Sequence, residues 1–165
     1  MVKKLMYAVS VAIVLAWPAA ASAQELVYVV RHAERADSGV GMTTQADPAL
    51  SAAGEARAAR LAAILKDAGI TAIFTTEYIR TKATGAPLAK ALGLSEQIVP
   101  ARDTSRLVAA LRARPHDILL VVGHSNTVPD LIKALGGPAV TIGENEYDAL
   151  FVFVPATGTV SRIRY

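Results

Sequence analysis

The sequence predicts an α/β protein, a three-layer α/β/α sandwich with a largely parallel central sheet, and three observations carry that expectation. Two apolar runs, LVYVV from Leu26 to Val30 and DILLVV from Asp117 to Val122, are too short for helices and do not alternate, as expected of strands buried on both faces. Ala- and Leu-rich stretches with helical start and stop signals separate the strands. Both strong strands end abruptly in chemistry-bearing residues, Arg31-His32 with Glu34 and Arg35 after the first, and Gly123-His124 after the second. In open α/β sheets, ligands bind beyond the carboxyl ends of the strands.

The first 23 residues are read as an address. Lys3 and Lys4 precede an apolar run from Leu5 to Trp17, and Ala21-Ser22-Ala23 follows. That is the pattern of a cleaved secretory signal, with the cut after Ala23. The run is shorter than the roughly 18 or more residues that span a bilayer, so no membrane anchor is expected after cleavage. Residues 24–165 then form a single domain of ordinary size, exported, and periplasmic if the source is Gram-negative. The chain has no Cys, so its core must hold it without disulfides. Lys3 and Lys4 are two of the 17 basic residues and none of the 14 acidic ones lies in the segment, so the mature charge is +1 rather than +3. Such a balance gives no electrostatic footprint for nucleic acid.

The remaining elements follow in order. Ala36 to Pro48 contains Gly39, Gly41 and Pro48 and no period, which predicts a loop long enough to cover a site. Ser51 caps a helix running through Leu65 and closed by Gly69, with Arg57, Arg60 and Lys66 solvated. Thr71–Thr76 is a short strand. Tyr78–Leu92 is a helix that Pro87 bends or breaks and Gly93 ends. Ile98–Pro100 is a marginal strand, and Asp103 or Thr104 opens a helix to about Arg114. Pro129–Leu135 makes a short helix before Gly136-Gly137. Ala149–Val154 and Thr159–Arg164 are an antiparallel pair around a turn at 155–158.

Parallel strands end at one edge, so distant segments can converge there. Arg31, His32 and Arg35, then Arg80, then His124 would bring three guanidiniums and two imidazoles around one point. Arg offers planar, bidentate donors that match phosphate oxygens, which makes a phosphomonoester the ligand that suits the set. A nucleophilic His must be neutral, and flanking arginines disfavour the imidazolium. Ser125 follows His124, but the Gly-x-Ser-x-Gly elbow is absent. Three His without Cys or a His-x-x-x-His spacing give no metal site.

Four segments in order, Val30-Arg31-His32-Ala33-Glu34-Arg35, Leu50-Ser51-x-x-Gly54, Thr75-Thr76-Glu77-Tyr78-Ile79-Arg80 with Thr81 and Thr84, and Val122-Gly123-His124-Ser125-Asn126-Thr127, resemble the histidine phosphatase superfamily, the phosphoglycerate mutase-like fold. The resemblance implies that His32 is the nucleophile that becomes phosphorylated, that Arg31, Arg35 and Arg80 bind the phosphoryl group, that His124 completes the pocket, and that no cofactor or metal is needed. Ala33 stands where many relatives have Gly. The leaving-group acid is the point of departure, because the segment after Ile98-Val99 that supplies a Glu in many relatives is missing. Asp103 is the first candidate, with a helix N-cap as its other reading. Glu77 is the second, and Glu144, Glu146 and Asp148 are a third group. The expected activity is a metal-independent phosphoric monoester hydrolase acting on small or exposed phosphomonoesters. A phosphate- or phosphoglycan-binding module of the same fold and a mutase-type phosphotransferase are the alternatives.

Overall fold

The computed structural model describes residues 26–36 and 47–165. The expected signal segment, Met1–Ala23, and most of the loop read at Ala36–Pro48 lie outside the described residues. Ten elements follow in the order β1 (Leu26–Arg31), α1 (Ala52–Leu65), β2 (Ala72–Thr75), α2 (Ile79–Leu92), β3 (Glu96–Ile98), α3 (Thr104–Arg112), β4 (Ile118–Gly123), α4 (Thr127–Ala134), β5 (Ala149–Val154) and β6 (Thr159–Arg164). They build one mixed sheet of order β3-β2-β4-β1-β5-β6. The four strands from β3 to β1 are parallel, while β5 runs antiparallel to β1 and β6 antiparallel to β5. No helix of the described residues is long and apolar enough to cross a membrane.

The strict two-residue period of the strands divides their side chains between two cores. Val27 and Val29 of β1, Leu119 and Val121 of β4, and Phe151 and Phe153 of β5 point to one side, where Val108 and Leu111 of α3 and Val128, Leu131 and Ile132 of α4 cover them. Val30, Ile73, Leu120, Val122 and Leu150 point to the other, under Leu61 and Leu65 of α1 and Leu88 of α2. This is the three-layer sandwich that the sequence predicts. It also explains why β1 and β4 show no polar alternation, since each faces apolar helices on both sides.

Local chemistry sets the helix ends. Ser51 accepts a bond from Gly54 N–H at 3.1 Å and starts α1. Gly93, at φ +66°, ends α2 in the left-handed conformation. Three boundaries differ from the sequence reading. Pro87 does not break α2, which continues through it from Ile79 to Leu92. Neighbouring Leu88 and Ala89 are buried against the sheet, and that packing outweighs the one backbone bond that proline removes. The third strand lies two residues earlier than predicted, because Pro100 has no N–H for a ladder. α4 starts at Thr127, before Pro129, which falls in the first turn where a missing N–H costs nothing.

Arg57 is a correction of a different kind. It is not merely solvated: its Nε and Nη2 hold the Glu34 carboxylate at 2.7–2.9 Å, and its Nη1 donates to the carbonyl of Tyr165 at 3.0 Å. It therefore ties α1, the segment after β1 and the chain end together.

Gly54 gives the closest approach of α1 to that segment. A Cβ there would sit 2.2 Å from the Glu34 carbonyl oxygen, which already accepts Ser51 N–H at 2.9 Å. Gly54→Ala is therefore expected to lose about 1–3 kcal/mol in urea unfolding, the scale of overpacking a tight contact. An unchanged unfolding midpoint would show that the contact is slack.

Candidate active site

Register places the site. β1 and β4 pair in parallel with Arg31 opposite Gly123, and His32 N–H donates to the Gly123 carbonyl at 2.9 Å. The next residue on each strand is a histidine. The rings of His32 and His124 consequently meet edge to face, with centroids 5.3 Å apart. They lie in a cleft of about 670 Å³ at the carboxyl edge of the parallel strands, lined also by Arg31, Arg35, Tyr78, Arg80, Arg102, Glu144 and Tyr147. All five site residues expected from the resemblance thus converge there.

His32 is 4% exposed, and its Nδ1 lies 2.8 Å from the carbonyl oxygen of Ala33. A carbonyl only accepts, so Nδ1 carries the proton and Nε2 keeps its lone pair. Burial lowers the His32 pKa to about 3; the bond to Ala33 offsets part of this, while His124, Arg80 and Arg31 push it further down. The sequence reading credited the flanking arginines with this effect, but desolvation is the larger cause and Arg80 and Arg31 contribute less. His124 is likewise lowered, to about 4, by burial first and then by Arg80. Both rings are neutral across the physiological range.

Each arginine is held in its own way. Arg31 donates from Nη1 to the carbonyls of Gly143, Glu144 and Glu146 at 3.0, 2.7 and 3.3 Å, and its guanidinium lies 4.0 Å from the centre of the Tyr147 ring. It therefore fixes the 143–147 loop as a wall of the cleft as well as facing it. Arg80 lies 4.2 Å over the Tyr78 ring and 3.3 Å from the Asp47 carboxylate. Asp47 also accepts Ile79 N–H at 3.0 and 3.1 Å, supplying the N-terminal cap that Tyr78 does not give α2. Arg35 joins Leu50 in an isolated antiparallel bridge. Thr84, fully buried on α2, accepts Ala33 N–H at 3.0 Å and donates to the Arg80 carbonyl at 2.7 Å, which locks the segment after β1 onto the helix carrying Arg80.

The acid candidates separate clearly. Asp103 is outside the cleft lining, and its carboxylate caps α3 by accepting Arg106 N–H and the Ser105 hydroxyl at 2.9 Å each. The N-cap reading is the one its geometry carries. Glu77 is exposed and accepts Ala101 N–H at 2.8 Å. Glu146 and Asp148 are engaged by Arg162 and Arg164. Of these candidates, Glu144 alone lines the cleft. Sequence reasoning passed over Tyr78, Tyr147, Arg102 and Asp47. Tyr78 lies inside one of the quoted segments and could have been found there, whereas the other three carry no pattern of their own.

Two neutral imidazoles among arginines, at the carboxyl edge of an α/β sheet, make a cleft whose donors suit an anion. A family model described as histidine phosphatase superfamily (branch 1) matches residues 27–108, from β1 into α3. Over those residues the chain matches the histidine phosphatase superfamily. No curated protein matches the sequence. Among solved structures, an Escherichia coli protein proposed as an alpha-ribazole-5'-P phosphatase superposes with a TM-score of 0.68 at 16% identity, covering 86% of this chain and 95% of that one. The protein histidine phosphatase SixA complexed with tungstate gives 0.64 at 19%, covering 84% and 94%. The mycobacterial glucosyl-3-phosphoglycerate phosphatase gives 0.64 at 16%, covering 86% and 98%. At these identities the likeness is one of fold.

The neutral, buried histidines carry a consequence for stability. Each has a folded pKa below its unfolded value of about 6.5, so below that pH the unfolded chain binds protons that the folded chain does not. Stability is therefore expected to fall as pH drops from about 6.5 toward 4, by at most about 1.4 kcal/mol per pH unit for each ring, and less in a cleft open to solvent. Urea unfolding of the wild type and His32→Gln between pH 7 and pH 4 checks this. Parallel curves for the two proteins would mean that His32 titrates normally in the fold.

Proposed function

We propose that the mature chain is an exported, metal-independent phosphatase of small or exposed phosphomonoesters, working through a phosphohistidine on His32. The observation that supports this most directly is the His32 ring itself: buried, neutral, with Nδ1 tied to Ala33 and Nε2 left without a hydrogen bond to any described residue, in a cleft lined by arginines. In this reading Arg31, Arg35 and Arg80 grip the phosphoryl oxygens, and His124 completes the pocket. The Nε2 lone pair attacks phosphorus as the ester P–O bond breaks and its electron pair leaves with the oxygen. Water then attacks the phosphohistidine, the P–N bond returns its pair to Nε2, and inorganic phosphate departs. Preorganised cations facing the equatorial oxygens supply most of the stabilisation that such a transfer needs. The names of the neighbouring structures are phosphatase names, and one of those proteins was crystallised with tungstate. These agree with the reading while leaving the substrate open.

The test uses an aryl phosphate, whose leaving group needs little protonation. Wild-type protein should hydrolyse it, His32→Ala should not, and enzyme denatured in base during turnover should carry a base-stable, acid-labile phosphate on His32. Full activity in His32→Ala would falsify the assignment. No hydrolysis by the wild type would favour the second reading, a phosphate-binding module of the same fold, to which the commitment of Asp103 to helix capping lends support.

Glu144 is the acid that the geometry favours, as the candidate in the cleft lining. Glu144→Gln should slow alkyl phosphates by roughly 10² or more while leaving aryl phosphates nearly unaffected. Equal losses on both substrates would instead assign Glu144 to binding or to the 143–147 wall.

A further inference from the structure

Behind His124 runs a short chain of hydroxyls that the roles proposed so far leave unused. Thr76 Oγ1 lies 3.1 Å from His124 Nε2 and 2.8 Å from Thr81 Oγ1. Thr81 Oγ1 in turn lies 2.9 Å from the carbonyl oxygen of Tyr78 and 3.2 Å from that of Thr76. Thr81 is fully buried and Thr76 is 7% exposed, so water does not compete for these bonds.

The direction of every bond in the chain follows from one fact, that a carbonyl cannot donate. The single hydroxyl hydrogen of Thr81 is drawn to the carbonyls: the Tyr78 carbonyl also accepts Lys82 N–H at 3.2 Å, but the Thr76 carbonyl has no other donor among the described residues, and buried oxygens at 2.9 and 3.2 Å with no hydrogen between them would repel. Thr81 Oγ1 is then an acceptor toward Thr76, and the Thr76 hydroxyl hydrogen is used on it. What Thr76 offers His124 is therefore a lone pair, and His124 Nε2 must bring the hydrogen.

We propose that Thr81 and Thr76 are positioning residues that fix His124 as its Nε2–H tautomer, so that its bare Nδ1 is the ring nitrogen presented to the cleft as a proton acceptor. Nδ1 has no hydrogen bond to any described residue, and the ring lines the cleft. The two histidines are thus held in opposite tautomers by opposite means: His32 by the acceptor Ala33 on its Nδ1, His124 by the acceptor Thr76 on its Nε2. Each keeps one lone pair, and neither neutral ring donates from the nitrogen left bare. In the neutral state His124 consequently accepts a hydrogen from a protonated phosphoryl oxygen or from water, and it donates through Nδ1 only after taking up that proton. The structural assignment stands without the phosphatase reading; only its kinetic consequence rests on that reading.

Histidine ring nitrogen NMR of isotope-labelled protein near pH 7 reads the tautomers directly. Wild-type His124 is expected to show a protonated Nε2 and an unprotonated Nδ1, with His32 the reverse. In Thr81→Val the Thr76 hydroxyl loses its acceptor and becomes free to donate to Nε2, so the Nδ1–H form of His124 should appear while His32 stays unchanged as the internal control. Thr81→Ser, which keeps the hydroxyl, should keep the wild-type spectrum. On an aryl phosphate, Thr81→Val should lower kcat/KM by roughly fivefold, the scale of one neutral hydrogen bond, and Thr81→Ser should restore it. A protonated Nδ1 on His124 in the wild type overturns the proposal, and so does a folded Thr81→Val with unchanged tautomers. Correct tautomers in a protein that hydrolyses nothing would overturn the functional reading and leave this one standing.

Discussion

The in-register parallel pairing of β1 with β4 is the constraint on which the rest of the molecule depends. With Arg31 opposite Gly123, the chain leaves both strands at one level, and the residues that follow are His32 and His124. A slip of one residue would send the side chains of β1 to the wrong faces, exchanging Val27 and Val29 with Tyr28 and Val30 between two apolar cores. The two cores therefore fix the register, and the register fixes the distance between the imidazoles. Packing energy spread over both faces of the sheet is in this way converted into the position of two rings.

Bringing cations and imidazoles together costs free energy, and the surrounding groups show how the fold offsets it. Arg31 is held by three carbonyls and the Tyr147 ring, Arg80 by Asp47 and the Tyr78 ring. The Glu34 carboxylate, one residue before Arg35, is itself taken up by Arg57 and so is drawn away from the cluster. Burial keeps the two histidines neutral, which relieves the cluster of two further positive charges. Much of the structure around the cleft is thus support for the charges gathered there. Thr84 and Gly54 belong to the same scheme, one by hydrogen-bonding the segment after β1, the other by letting α1 approach it.

The β1 and β4 runs, the Ser51 cap, the Gly93 stop and the antiparallel β5–β6 pair were legible because each is written in residues close in sequence, where period, capping and turn chemistry act locally. His32, His124, Arg31, Arg35 and Arg80 were legible for a related reason: each ends or follows a strand or lies in the first turn of a helix, and parallel topology brings those ends to one edge. Other outcomes depended on partners far along the chain. Arg57 looks like any helix-surface arginine until Glu34 and Tyr165 arrive beside it, and Asp47 is an ordinary loop residue until α2 presents an uncapped Ile79 N–H. Asp103 and Glu144 have equal chemical standing as acids, and only the folded chain sends one carboxylate to a helix cap and sets the other residue in the cleft lining. The sequence by itself determined the sandwich, the strand ends and the histidine–arginine set, since those follow from local period and topology. Tertiary structure decided that Glu144 meets the cleft and which nitrogen of His124 stays bare, because the first depends on Arg31 holding the Glu144 carbonyl from 113 residues away and the second on Thr76, 48 residues from His124, and no local pattern encodes either.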